Sequence, residues 1–126
     1  MHPLDSLLKP RSIAVVGASR RPGSIGREIL HQLIEFEYRG MLFPVNPQAD
    51  FVHSMKAYPS VSSIPDQVDL AIIVVPREAV PAVVEDCGKK GVKGLVVITA
   101  GFSETGEEGR RMEIRLISRF GVTACA

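Results

Sequence analysis

The chain has 126 residues, 45% of them hydrophobic and 23% charged, which is the make-up of one globular domain with a sizeable core. A formal net charge of +1 gives no general case for nucleic acid or an anionic membrane surface as partner. No apolar run approaches the roughly 20 residues of a membrane span, and the N-terminus has no signal-peptide pattern, so a cytoplasmic protein is expected.

Met1–Pro10 reads as a leader in which Leu4, Leu7 and Leu8 could pack a small helix onto the domain, broken by Pro10. Ser12–Val16 is a strand apolar on both faces, the pattern of a parallel sheet covered by helices. It runs into a glycine-rich turn, Gly17-Ala18-Ser19-Arg20-Arg21-Pro22-Gly23. A helix follows from about Ser24 to Phe36, with Ile25, Ile29, Leu33 and Phe36 on an apolar stripe and Gly40 as its stop. Strand, tight loop and helix in that order form a cradle whose amides and helix dipole face an anion.

Met41–Val45 is the second strand, closed by Asn46-Pro47, with a short extended piece at Lys56–Tyr58 and a connector at Ser60–Pro65. Val68–Val75 is a buried strand stopped by Pro76. Glu78–Lys89 is a helix that tolerates Pro81 in its first turn and ends at Gly88 and Gly91. Val92–Thr99 is a strand, Ala100-Gly101-Phe102-Ser103 a loop, and Glu107–Arg119 a charged amphipathic helix with Met112, Ile114, Leu116 and Ile117 inward. Gly121–Ala126 begins another strand. This alternation predicts an α/β fold: a doubly wound, Rossmann-like parallel sheet with helices on both faces, in one domain spanning 1–126. The strand cut short at 121–126 suggests the N-terminal fragment of a longer protein.

Ligands of open α/β sheets lie beyond the carboxyl ends of the strands. Here those ends are Gly17-Ala18-Ser19, Val45-Asn46-Pro47, Val75-Pro76-Arg77 and Thr99-Ala100-Gly101-Phe102. None carries a carboxylate pair, a Ser/His/Asp set or a Cys/His set, so binding rather than catalysis is expected of this segment, with no catalytic residue assigned. Cys87 and Cys125 form no CxxC and His2, His31 and His53 are scattered, so no metal site is expected. Cys87 reads as a packing residue, and Asp66 and Asp69 as connector residues at the opposite end of the sheet. The dinucleotide fingerprint wants a second glycine where Ser19 stands and an acidic residue closing the second strand, where Asn46 stands. Both departures weaken an NAD(H) reading.

Together the stretches 8–19, 43–47, 56–60, 68–76 and 91–102 resemble the CoA-binding domain of ADP-forming (NDP-forming) acyl-CoA synthetases. That domain opens acetate–CoA ligase (ADP-forming), is related to the succinyl-CoA synthetase alpha subunit, and also opens some bacterial protein lysine acetyltransferases. The resemblance implies coenzyme A as the cofactor. It implies a phosphate cradle at Gly17, Ala18, Ser19, Arg20, Gly23, Ser24, Ile25 and Gly26, with Asn46 and Pro47 beside the adenosine end. Val75, Pro76 and Arg77 would line the site, and Thr99, Ala100, Gly101 and Phe102 would lie nearer the thiol. Gln48 stands where relatives often carry a lysine.

In the family, a phosphoryl group passes through a histidine on a later domain, with nucleotide on an ATP-grasp domain. The resemblance therefore implies CoA or acyl-CoA plus those further ligase domains, in cis or in trans, as partners. His31 and His53 do not sit in the family's histidine motif and read as surface or packing residues. The alternatives are an NAD(H)-binding Rossmann domain of a redox sensor or dehydrogenase, and a stand-alone interaction domain with a vestigial site, with a homo-oligomer left open. Gly17→Val is expected to remove CoA binding with the fold largely kept.

Overall fold

The structure is a computed structural model that describes residues 10–18, 24–102, 110–118 and 121–125, with side chains described for 10–18 and 24–98. The leader expected at Met1–Pro10 lies, apart from Pro10, outside the described residues. Ten regular elements follow in order: β1 (Ser12–Val16), α1 (Ile25–Glu35), β2 (Met41–Val45), β3 (Phe51–Val52), β4 (Met55–Lys56), β5 (Leu70–Ile73), α2 (Val80–Lys90), β6 (Gly94–Phe102), β7 (Arg110–Ser118) and β8 (Gly121–Cys125). The main sheet has the order β2-β1-β5-β6-β7-β8, and β3 pairs with β4 in a separate hairpin. The first four strands of the sheet are mutually parallel, with Val16 level with Val45 and Ile73.

Alternation along β1 accounts for the two layers. Ala14 and Val16 belong to one core, shared with Ile73, Leu95, Val97 and the α2 residues Val80, Val83 and Val84. Ile13 and Val15 belong to the other, shared with Leu30 and Leu33 of α1 and with Val52 and Met55 of the hairpin. Every residue of β1 is buried. It lies between β2 and β5 in a sheet with helices on both faces, as the doubly wound reading expected.

Local sequence sets the element ends. Ser24 caps α1, its hydroxyl accepting from the Arg27 amide at 3.3 Å. An Arg27–Glu28 contact of 3.9 Å and a His31–Glu35 contact of 3.7 Å lie on the outer side of α1. The Pro76-led 3-10 turn Arg77–Ala79 feeds α2, where Pro81 occupies the first turn. Pro44 sits in the edge strand β2. Residues 41 and 45 of that strand bond inward to β1, at Arg11 and Gly17. The missing Pro44 N–H therefore lies on the outer edge, where no neighbouring strand needs it.

The amino ends of the strands are tied by their own polar set. Asp69 accepts the Arg11 amide at 2.9 Å and pairs with Lys93 at 3.8 Å. The Ser12 hydroxyl donates to the Gln67 carbonyl and accepts the Asp69 amide, and the Tyr38 hydroxyl donates to the Pro10 carbonyl at 2.7 Å. Burial and the neighbouring Asp69 charge push the Tyr38 phenol above its usual range. Asp69 thus has the connector role expected of it.

Two expectations are corrected beyond β5. Ala100–Phe102 continue β6 instead of forming a loop, and 110–118 form β7, antiparallel to β6, instead of part of a helix over Glu107–Arg119. The physical reason is periodicity. Arg111-Met112-Glu113-Ile114-Arg115-Leu116 alternates polar and apolar strictly, a period-two pattern that a strand satisfies as well as a helix satisfies the Met112/Leu116 spacing. β8 then pairs antiparallel with β7.

Leu30 is fully buried between α1 and the sheet. Leu30→Ala is expected to lower stability by about 3 kcal/mol, read from a urea melt, with the α2 side of the sheet keeping its native packing.

Candidate functional site

The chain crosses from β2 past β1 to β5, so β1 and β5 flank the point where the strand order reverses. In such sheets that point opens a crevice at the carboxyl ends. A cleft of about 380 Å³ lies there. Its walls are Gly17 and Ala18 after β1, Asn46 and Pro47 after β2, Val75 after β5, the loop Pro59–Val61, and Ala79, Ala82, Val83 and Asp86 at the start of α2.

The floor is built by backbone contact. Gly17 has φ +95°, and a Cβ there would run into the Val74 carbonyl. Its amide donates to the Val45 carbonyl at 3.0 Å, while the Val74 amide donates to the Val16 carbonyl at 2.8 Å. Gly26, in the first turn of α1, rests on the Gly17 carbonyl, and a Cβ on Gly26 would collide with it. The helix can start this close to the strand only because both residues lack side chains.

Asn46 joins two of the walls. Its side-chain amide donates to the Ala18 carbonyl at 2.8 Å, and its side-chain oxygen accepts the Gln48 amide at 2.8 Å. One side chain thereby fixes the turn after β2 against the turn after β1. An aspartate could not donate to the Ala18 carbonyl when ionised, which is a structural reason for an amide where dinucleotide-binding sheets carry an acid.

Asp86 fixes the third wall. Its carboxylate accepts the Val61 amide at 3.0 Å and the Ser62 amide at 3.2 Å, tying the loop to α2. The loop is further folded on itself by the Ser63 hydroxyl, which donates to the Ser60 carbonyl at 2.6 Å. The Lys90 ammonium donates to the Ile64 carbonyl. Asp86 is the one titratable side chain among the described residues of the cleft.

Of the residues expected to form the site, Gly17, Ala18, Asn46, Pro47 and Val75 meet in this cleft. Ser24, Ile25 and Gly26 stand behind the floor as cap and first turn of α1. Pro76 and Arg77 follow Val75 into an exposed turn outside the cleft wall. Ser19, Arg20 and Gly23 lie outside the described residues, as do the side chains of Thr99, Ala100, Gly101 and Phe102. The backbone of Thr99–Phe102 extends past Val97, which is level with Ile73 at the end of β5.

Pro59–Val61 and Ala79–Asp86 were missed as walls. The Tyr58-Pro59-Ser60 stretch carried a signal in the resemblance, but nothing local ties it to a helix 25 residues on. His31 and His53 face one another at 5.8 Å between α1 and the β3–β4 turn, in keeping with packing roles. Cys87 is buried, and burial with the adjacent Asp86 charge pushes its thiol up to about 12, so it stays protonated at neutral pH. Among the described residues no group of three or more His, Cys, Asp or Glu could hold a metal ion. No described helix is long and apolar enough to cross a membrane.

The Gly17 geometry changes the expectation for Gly17→Val. A β-branched side chain at φ +95° against a carbonyl is expected to cost roughly 3 kcal/mol or more and to unfold much of the protein at 37 °C by circular dichroism. A folded variant that merely fails to bind ligand would contradict this. Asn46→Ala, by contrast, is expected to leave a folded domain weakened by about 1–3 kcal/mol in thermal denaturation, since it leaves the carbonyl of the buried Ala18 without its partner.

Comparison with known proteins bears on what this crevice holds. Residues 11–118 match the family described as the CoA binding domain. The alpha subunits of acetate–CoA ligase (ADP-forming) I and II of Pyrococcus furiosus are 48% identical over 118 residues and 52% identical over 114. Each match covers 90% of this chain but only 26% and 25% of the relative, so the chain spans about a quarter of the length of the curated relatives it matches. Among solved structures, the dinucleotide forming acetyl-coenzyme A synthetase 1 of Ca. Korarchaeum cryptofilum, in complex with phosphate and ADP, superposes with a TM-score of 0.76 at 50% identity. That match covers 83% of this chain and 23% of the other. These likenesses favour coenzyme A over NAD(H), and the chain belongs to the CoA-binding domain family.

Proposed function

We propose that the cleft at the carboxyl ends of β1, β2 and β5 is the CoA site, and that the chain serves as the CoA-binding part of an ADP-forming acid–CoA ligase. The observation that carries the placement is the side-chain-free floor at Gly17, with Gly26 of α1 packed directly behind it, where backbone can approach a phosphate closely. The Gly17 amide is taken by the Val45 carbonyl, so stabilisation for a diphosphate comes from close approach to this floor and from the positive end of the α1 dipole behind it. Asn46 and Pro47 stand on the adenosine side, and Val75 with the first turns of α2 forms an apolar wall. Thr99–Phe102 extend toward the pantetheine and thiol.

A volume of about 380 Å³ is near the lower end of the roughly 300–1,000 Å³ typical of ligand pockets. It suits one segment of CoA, with the remainder lying across the open strand ends. The one titratable group of the described wall, Asp86, is engaged by two amides. That supports a binding role, with phosphoryl-transfer chemistry supplied by histidine-bearing and ATP-grasp segments in cis or in trans. The length of the relatives, about four times the matched region, supports the same reading. A cytoplasmic setting fits a ligase of soluble metabolites.

Titration calorimetry is expected to show CoA binding in the micromolar to millimolar range. At tenfold excess over Kd, a rise in Tm equivalent to about 1.4 kcal/mol of stabilisation is expected. NADH fluorescence should not change on mixing. Neither heat nor thermal shift at millimolar CoA would overturn the assignment.

A further inference from the structure

The ligand assigned to the cleft is a polyanion, yet the described cleft wall is short of positive charge. Its one charged side chain, Asp86, is an anion. A ligand with a diphosphate and a ribose 3′-phosphate calls for a cation at the margin.

Most described cations have other partners. Lys93 pairs with Asp69 at the far end of the sheet, Lys89 with Glu85, and Arg27 with Glu28. Lys90 donates to the Ile64 carbonyl. Arg11 and Arg39 line a separate cavity at the amino ends of β1 and β2. Arg77 sits on the exposed turn after β5.

Lys56 is placed differently. It ends the β3–β4 hairpin, level with Phe51, and the chain then runs beside β2 until Tyr58 pairs with Val45 in parallel. In an extended segment residues two apart share a side. The Lys56 ammonium accordingly lies 5.3 Å from the centre of the Tyr58 ring. That ring is itself fixed. It packs edge-on against Phe43, and the Tyr58 amide and carbonyl are bonded to Pro44 and Asn46. The next three residues, Pro59–Val61, are cleft wall. The ammonium therefore reaches along this segment toward the carboxyl end of β2, the side given to the adenosine.

We propose that Lys56, held over the Tyr58 ring, binds the ribose 3′-phosphate of CoA and makes the domain favour CoA over dephospho-CoA. The proposal rests on the placement of CoA in the cleft. A lysine over an aromatic face keeps N–H donors turned outward, and a compact point charge at an exposed margin suits a terminal phosphate.

The test is calorimetric titration of the chain and of K56M and K56R with CoA and with dephospho-CoA. Methionine keeps the alkyl packing on Tyr58 while removing the charge. The unsubstituted chain is expected to bind CoA roughly tenfold more tightly than dephospho-CoA. K56M should bind the two alike, with dephospho-CoA affinity unchanged, and K56R should keep the preference. Added salt should narrow the preference in the unsubstituted chain and leave K56M unaffected. A preference that survives in K56M, or is missing from the unsubstituted chain, would overturn the proposal. So would an equal loss for both ligands, which would set Lys56 against a group they share. Failure of the unsubstituted chain to bind either ligand would instead overturn the placement of CoA.

Discussion

The packing at the carboxyl end of β1 is between main-chain atoms. At the end of β1 the Gly17 α-carbon lies against the Val74 carbonyl, and Gly26 lies against the Gly17 carbonyl. Three elements meet there with no side chain between them: β1, its neighbour across the switch point, and the first covering helix. Any β-carbon at either glycine would drive them apart, widening the sheet at the end where the cleft forms. The cleft, the register of β1 with β5, and the seat of α1 all depend on that contact.

Around this floor the walls are held by single polar side chains that bridge distant parts of the chain. Asn46 spans the turns after β1 and β2, and Asp86 spans α2 and the Pro59–Ser62 loop. Each uses its polar atoms on backbone groups, so the walls are set by the protein before any ligand arrives. Such preorganisation lowers the conformational cost of binding. These residues fix the shape of the cleft, their polar atoms turned to the protein's own backbone.

Much of the sheet was legible because its signals are local. Ser12–Val16 and Met41–Val45 were bounded to the residue by largely apolar runs between breakers, and the Ser24 cap and Gly91 stop marked the two helices within a turn. The strand ends around Gly17, Asn46 and Val75 followed from the fold, since α/β sheets gather them. What was missed is non-local. The pairing of Asp86 with Val61 joins residues 25 apart, and no periodicity announces it. The stretch Arg110–Ser118 was misread because an alternating pattern containing Met112 and Leu116 satisfies both periods, and only pairing with β6 decides between them.

Pro44 has a consequence for association. On the outer side of β2 it presents no amide hydrogen, its carbonyl is already taken by the Tyr58 amide, and the Asn46 amide is satisfied by Tyr58 in turn. Among the described residues, the upstream Leu42 position is the one in β2 left without a backbone partner on that side. A stranger's strand finds too few rungs to climb, so this flank of the sheet resists edge-to-edge fibre growth. Whatever docks on this side must recognise side chains and shape instead of continuing the ladder.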